Sequence, residues 1–232
     1  MPVEVTSERT EYSQTFANPD GTCSLKQATS PQRAQDASGQ WHDIDTALVR
    51  RADGTIGPRY AAVSESFSTG GSQTMVRLER DGQAPAVSWP GPLPEPSLDG
   101  ATATYAEALP GVDLQLTAMP DGYREVLQVK SAQAAQNEAL EQLRFTIAGK
   151  GLALVAGAGG GLRAIDADGN VVFTGPAGQM WDSAGDDAGV QTQMLRAAGP
   201  ETASSSEASD GGVPAQPGDG DVTATLPVAG RA

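Results

Sequence analysis

A chain of 232 residues with 29 acidic and 15 basic side chains carries a formal charge of −14, which repels polyanions and disfavours nucleic acid and anionic membrane surfaces as partners. Only 5% of residues are aromatic, while 28 Gly and 16 Pro point to many turns and short strands. The length suits one large β domain or two small ones, enough to bury roughly 70% of the unfolded chain's surface.

From the amino end, Met1-Pro2-Val3-Glu4 lacks the basic and apolar regions of a signal peptide, so any export signal is expected to be absent from this chain. The single cysteine, Cys23, cannot form an internal disulfide and lacks the company of a structural zinc site. No run of 18 apolar residues exists for a membrane-spanning helix, and no membrane insertion is expected. Asp-Gly recurs at 20–21, 53–54, 81–82, 99–100, 121–122 and 168–169 between short apolar or alternating runs. Such dipeptides tolerate the positive φ angles of tight hairpins.

Strands are predicted at Met75 to Glu79 and Ala86 to Trp89. Val112, Leu114, Leu116 and Ala118 alternate with polar or outward neighbours, the period of a half-buried strand. The chain then turns through Met119-Pro120-Asp121-Gly122 and returns from Tyr123 to Lys130, where the alternation is less clean. Residues 131–142, rich in Ala, Gln, Glu and Leu, predict a short helix or helical turn. Further strands are predicted at Leu143 to Ala148, Leu152 to Ala156, Leu162 to Ile165 and Val171 to Thr174. Residues 184–221 are Gly, Ser, Ala, Pro and acid with few large apolar side chains, and read as a disordered acidic linker or loop. Beyond Met180 eight acidic residues face only Arg196 and Arg231, so this tail carries −6 of the charge. The stretch "VTATLPV" (Val222 to Val228) regains strand character, so 222–232 holds a last, truncated strand. The resulting fold class is mainly β: an antiparallel, sandwich-like domain over residues 1–183 with one short helix and a disordered acidic tail.

In order, "YSQTFANPDGT" (Tyr12 to Thr22), "WHDID" (Trp41 to Asp45) with Leu48, "SWPGPLPEPSLDGATATY" (Ser88 to Tyr105), "LPGVDLQL" (Leu109 to Leu116), "DGYREVLQV" and "PAGQMWDS" (Pro176 to Ser183) form a series. Together, from about Arg9 to Ser183, they resemble the amino-terminal β-rich region of large secreted Gram-positive, chiefly actinobacterial, proteins. In those proteins the region precedes laminin-G-like jelly-roll, DNRLRE or Rhs/YD-repeat domains; it is also similar to the corresponding part of wall-associated YD-repeat proteins. The resemblance implies an extracellular or wall-associated location and a noncatalytic structural or spacer role within a larger multidomain polypeptide, of which this chain is a portion. Its implied partners are neighbouring domains of the same polypeptide and, for a binding module, a cell-wall glycan or surface protein. A third reading makes it the accessory part of a hydrolase or polymorphic toxin whose active domain lies elsewhere. His42 stands where relatives commonly carry another polar or charged residue, so no His-dependent chemistry is implied.

The residues themselves nominate no catalytic, cofactor-binding or metal-binding set, and no cofactor is expected. In "WHDID", strand geometry sends Trp41, Asp43 and Asp45 to one face and His42 and Ile44 to the other. Trp41 is expected to pack and the aspartates to bond to backbone amides, the alternative being a functional carboxylate pair. Asp166, Asp168 and Asn170 have calcium-loop spacing at their start, but Gly169 falls at position four and Ala177 at position twelve, so a hairpin turn is expected. The run "GAGGGLR" (Gly157 to Arg163) lacks the Lys-Ser/Thr of a P-loop and reads as a chain reversal. Cys23 is expected to be a buried or half-buried small residue. The proline-spaced run Trp89 to Pro96 reads as a rigid crossover between sheets, the alternative being a ligand for an aromatic groove. For a binding module, Trp89 or Trp181 would be the exposed stacking ring.

Overall fold

The computed structural model describes residues 1–71, 74–149, 151–157, 160–179, 196–197 and 222–227. Strands β1 (Val3–Glu4), β2 (Ser13–Ala17) and β3 (Cys23–Gln27) make a small sheet, and β4 (Arg33–Gln35) pairs with β5 (Trp41–Asp43). Then β6 (Asp45–Arg50), β7 (Ile56–Tyr60), β8 (Ser64–Phe67), β9 (Thr74–Glu79) and β10 (Ala86–Ser88) run as an antiparallel meander. Next come β11 (Ser97–Asp99), β12 (Thr102–Leu109), β13 (Val112–Met119) and β14 (Gly122–Val129), a second meander. The remaining strands are β15 (Gln142–Ala148), β16 (Ala153–Ala156), β17 (Leu162–Ile165), β18 (Val171–Gly175), β19 (Arg196–Ala197) and β20 (Val222–Pro227). They complete a seven-stranded sheet, β20-β15-β10-β9-β8-β7-β6, and an eight-stranded sheet, β11-β12-β13-β14-β19-β18-β17-β16.

The Asp-Gly dipeptides set this register. At Asp81-Gly82 both residues have positive φ, 52° and 78°, and Arg80 and Gln83 exchange N–H···O bonds of 2.9 Å across them, the turn whose twist matches that of the flanking strands. Between turns the period-two pattern does the packing: along β13, Val112, Leu114, Leu116 and Ala118 are buried while Asp113, Gln115, Thr117 and Met119 are half-buried.

The two large sheets lie face to face around one apolar core. Ile56, Val76 and Leu78 from one sheet meet Leu114, Leu116 and Phe173 from the other. Phe67 on β8 meets Tyr123 on β14 edge to face at 6.3 Å, and the Tyr105 hydroxyl donates to the Ser68 carbonyl at 2.7 Å. Backbone bonds stitch the margins, Leu48 N–H to the Gly100 carbonyl and Ala62 N–H to the Pro120 carbonyl, both 2.8 Å.

The proline-spaced run connects β10 of one sheet to β11 of the other, as a crossover requires. Its Trp89 is 2% exposed, packed edge to face on Phe145 at 5.7 Å. Trp89 is therefore not an exposed stacking ring: the sheet that the crossover leaves provides an apolar wall, and the indole closes onto it.

Residues 131–142 form two single 3₁₀ turns, Ala134–Gln136 and Glu138–Leu140, the helical turn of the expectation rather than a continuous short helix. Leu140 is the only residue of the two that is buried. A segment this short with one apolar anchor lacks the packed face that carries most helical stability.

Cys23 is exposed, which corrects the expectation of burial. It sits on β3, all five residues of which are exposed, because β3 is the outer strand of the small sheet and lies outside the sandwich core. Of the segment 184–221, read as a linker, Arg196–Ala197 form β19 between β14 and β18; its other residues, and Trp181, lie outside the described ones. Val222–Pro227 forms β20 and pairs with β15 in continuous register, Gln142 opposite Pro227 through Ile147 opposite Val222.

Candidate functional site

Around His42 the local sequence builds a small polar assembly. Residues Asp36 to Gly39 turn β4 into β5, with Gly39 at φ 81°. The Asp36 Oδ1 accepts from the Ser38 N–H (2.8 Å), the Ser38 hydroxyl (2.6 Å) and the Gln40 N–H (3.0 Å). Its Oδ2 lies 2.9 Å from His42 Nε2. The Ser38 hydroxyl and then His42 hold this carboxyl far below the usual aspartate range. The imidazole stacks on Tyr60 of β7 with centroids 4.0 Å apart and planes 4° from parallel.

Thus His42 does have a carboxylate, but it is Asp36, not Asp43 or Asp45. Asp45 accepts from the Ala47 N–H at 3.0 Å, as a turn-bonding aspartate does, and from Arg59 at 3.2 Å. Asp43 is exposed and opposite Arg33. Sequence reasoning passed over Asp36 and Tyr60. The signal was "DASGQ", an aspartate two residues before a serine and three before a glycine, the same turn chemistry as Asp-Gly with two residues inserted.

A cleft of about 690 Å³ opens beside this hairpin, lined by residues of the β2–β3 pair, the β4–β5 pair and the turn at Pro120. Arg9, Lys26, Arg33, Trp41, His42 and Asp43 are among its walls. The Arg9 guanidinium is held by Glu4 through bonds of 2.8 and 2.6 Å. Arg33 donates to the carbonyls of Thr10 (3.1 Å) and Ser13 (3.3 Å). Lys26, opposite Gln14 in the β2–β3 register, is exposed and ion-paired to nothing among the described residues.

The second unusual feature is inside the core. Glu65 on β8 is 0% exposed and Glu125 on β14 is 2% exposed. Among the described residues neither Glu65 carboxyl oxygen makes a hydrogen bond of good geometry, although the Gly122 N–H favours its charged form, and Oε1 of Glu125 has no partner. Burial raises the Glu65 carboxyl well above its ordinary value, and the nearby Asp121 raises it further, against the Arg51 guanidinium. Arg51 itself bonds to the main chain, donating to the carbonyls of Glu65 (2.7 Å) and Pro58 (3.1 Å). Gly57 makes room for it, since a Cβ there would clash with both the guanidinium and the Glu65 carbonyl. Burial alone pushes Glu125 up to about 8. Tyr123, two residues before Glu125 on β14, is raised by burial and then by the carboxylates of Glu125 and Glu65.

These acids explain the imperfect alternation of the returning strand. In the β13–β14 register Tyr123, Glu125 and Leu127 stand opposite Ala118, Leu116 and Leu114, so Glu125 occupies a core position and breaks the apolar pattern. No signal marks Glu65 in "SESF".

The remaining sequence candidates are turns. Asp166 Oδ1 accepts the N–H groups of Asp168 (3.0 Å) and Asn170 (2.8 Å), and its Oδ2 takes the Asn170 amide at 3.1 Å. That carboxylate closes a hairpin rather than a calcium loop. Gly157 donates to the Gly161 carbonyl at 2.7 Å where β16 reverses into β17. Among the described residues, no three His, Cys, Asp or Glu side chains converge into a group able to hold a metal ion. No family model matches the chain, and neither the curated proteins nor the solved structures hold a match to it.

Proposed function

We propose that this chain is a noncatalytic structural domain of a larger secreted or wall-associated protein, supporting and spacing neighbouring modules. One observation carries the reading: the central motifs of the family resemblance, from Ser88 to Val129, turn much of their apolar surface inward. Trp89, Leu93, Ala103 and Tyr105 of the second long motif are buried, as are Val112, Leu114 and Leu116 of the next and Tyr123 and Glu125 of "DGYREVLQV". Asp20 of "NPDGT" bonds to the N–H and hydroxyl of Thr22 at 3.0 and 2.7 Å. A series of motifs that hold a scaffold together favours scaffolding as the common property. The test is replacement. In a producing bacterium, exchanging residues 1–232 for an unrelated β-sandwich is expected to leave display and activity of the attached modules intact. Loss of a surface activity on exchange would contradict the spacer role.

A second reading, a binding module, is favoured by the polar cleft beside Trp41. There the half-buried Trp41, rather than Trp89, is the ring available to a ligand.

A further inference from the structure

We propose that the cleft between the β2–β3 and β4–β5 pairs binds an anionic group, a carboxylate or phosphate on a small polar ligand such as an acidic sugar. The inference rests on the second reading, that the cleft is a binding site, and adds the charge of what it takes. The chain as a whole carries −14 and repels anions over most of its surface, yet three cations, Arg9, Lys26 and Arg33, meet at this one concavity. Its wall contains a single carboxylate, Asp43, which faces Arg33 across the hairpin. The carboxylate of Glu4 orients Arg9 but is not itself on the wall.

Two of the three cations are fixed before any ligand arrives. Glu4 grips Arg9 at two atoms, and two backbone carbonyls hold Arg33, so little side-chain freedom is lost on binding. Among the described residues the Lys26 ammonium is ion-paired to nothing, which leaves it the group best able to swing onto an incoming anion. Trp41 adds a flat ring, and Gln14, whose amide donates to Glu4 at 2.9 Å, and Gln32, whose amide donates to the Ser30 carbonyl at 3.1 Å, complete a polar wall. The volume, about 690 Å³, lies within the ~300 to 1,000 Å³ of small-ligand sites.

Titration of the ¹⁵N-labelled chain followed by NMR, at ionic strength matched with sodium chloride, decides the matter. Three probes are added separately: inorganic phosphate, glucuronate and glucose. Expected are saturable shifts of the Trp41 indole N–H and the Gln14 and Gln32 side-chain amides with phosphate, glucuronate or both, and none with glucose. Whichever anion binds more tightly identifies the source. Lys26→Glu is expected to weaken binding about tenfold, and because Lys26 is exposed on an edge strand the variant is expected to fold as the parent does, checked by unchanged amide resonances outside the cleft. Equal shifts with glucose would overturn the anion inference and leave a site for neutral sugars. Silence to all three probes would overturn both the inference and the binding reading. Unchanged affinity in Lys26→Glu would place any anion elsewhere and overturn the inference.

Discussion

Replacing the buried acid Glu125 with glutamine should change how stability depends on pH, and the size of the change follows from its position. Burial moves the carboxyl from its ordinary 4.5 to about 8. The folded state therefore holds a proton that the unfolded chain releases between those values. A raised acid lets stability fall as pH climbs from about 4.5 to about 8, with no further loss above. At about 1.36 kcal/mol per unit of pKa, the full loss is roughly 4 to 5 kcal/mol, a large share of the ~5 to 15 kcal/mol that stabilises a typical domain. Glutamine keeps the shape and cannot ionise, but it buries an amide that lacks partners, at about 1 to 3 kcal/mol independent of pH. Urea unfolding at pH 5, 6, 7 and 8 reads the difference between parent and Glu125→Gln. The variant is expected to be the less stable at pH 5 and the more stable at pH 8. Acids with lowered values, such as Glu4 at about 2 and Asp36, lose their contribution only as pH falls below the ordinary carboxylate range and cancel in the comparison. A constant difference across the series would refute the assignment of Glu125 as a buried, protonated acid.

Other outcomes follow from the packing. Trp89→Ala is expected to cost about 3 to 5 kcal/mol in urea unfolding, because the ring is buried on Phe145; a loss under 1 kcal/mol would return Trp89 to the surface. Gly57→Ala should destabilise by roughly 1 to 3 kcal/mol, the added methyl meeting the Arg51 guanidinium and the Glu65 carbonyl, and a neutral result would mean Arg51 does not lie there. Gly82→Ala, at φ 78°, should cost about 1 to 2 kcal/mol, checked by its melting temperature. Cys23 should react with a thiol reagent in the native protein at the rate of a free peptide thiol, given its exposure; protection until denaturant is added would contradict the placement of β3.

The strands from Met75 to Ser88, from Val112 to Val129 and from Gln142 onward were legible where apolar runs and turn residues agree, whereas β6 to β8, β11 and β12 were not singled out. Apolar alternation marks β13 and Asp-Gly marks the turns, and both are local properties of the chain. The crossover from Trp89 to Pro96 was legible for a similar reason, since proline spacing fixes an extended path. What escaped depends on contacts distant in sequence. Whether Trp89 is buried is decided by Phe145, and His42 is engaged by Asp36 and Tyr60 across a hairpin and a neighbouring strand. The exposure of Cys23 follows from β3 belonging to a small sheet apart from the sandwich, which no local pattern announces. Glu125 left a trace, an acid in a core-facing position, whereas Glu65 left none. The cleft draws its walls from Arg9 to Pro120, a separation over which spacing carries no information.

Fractionation of a producing bacterium tests the central claim most directly. With the wall digested away and protoplasts separated, immunodetection of the chain should place it in the wall digest or the medium. Recovery of the chain only inside intact protoplasts would contradict a supporting role at the cell surface.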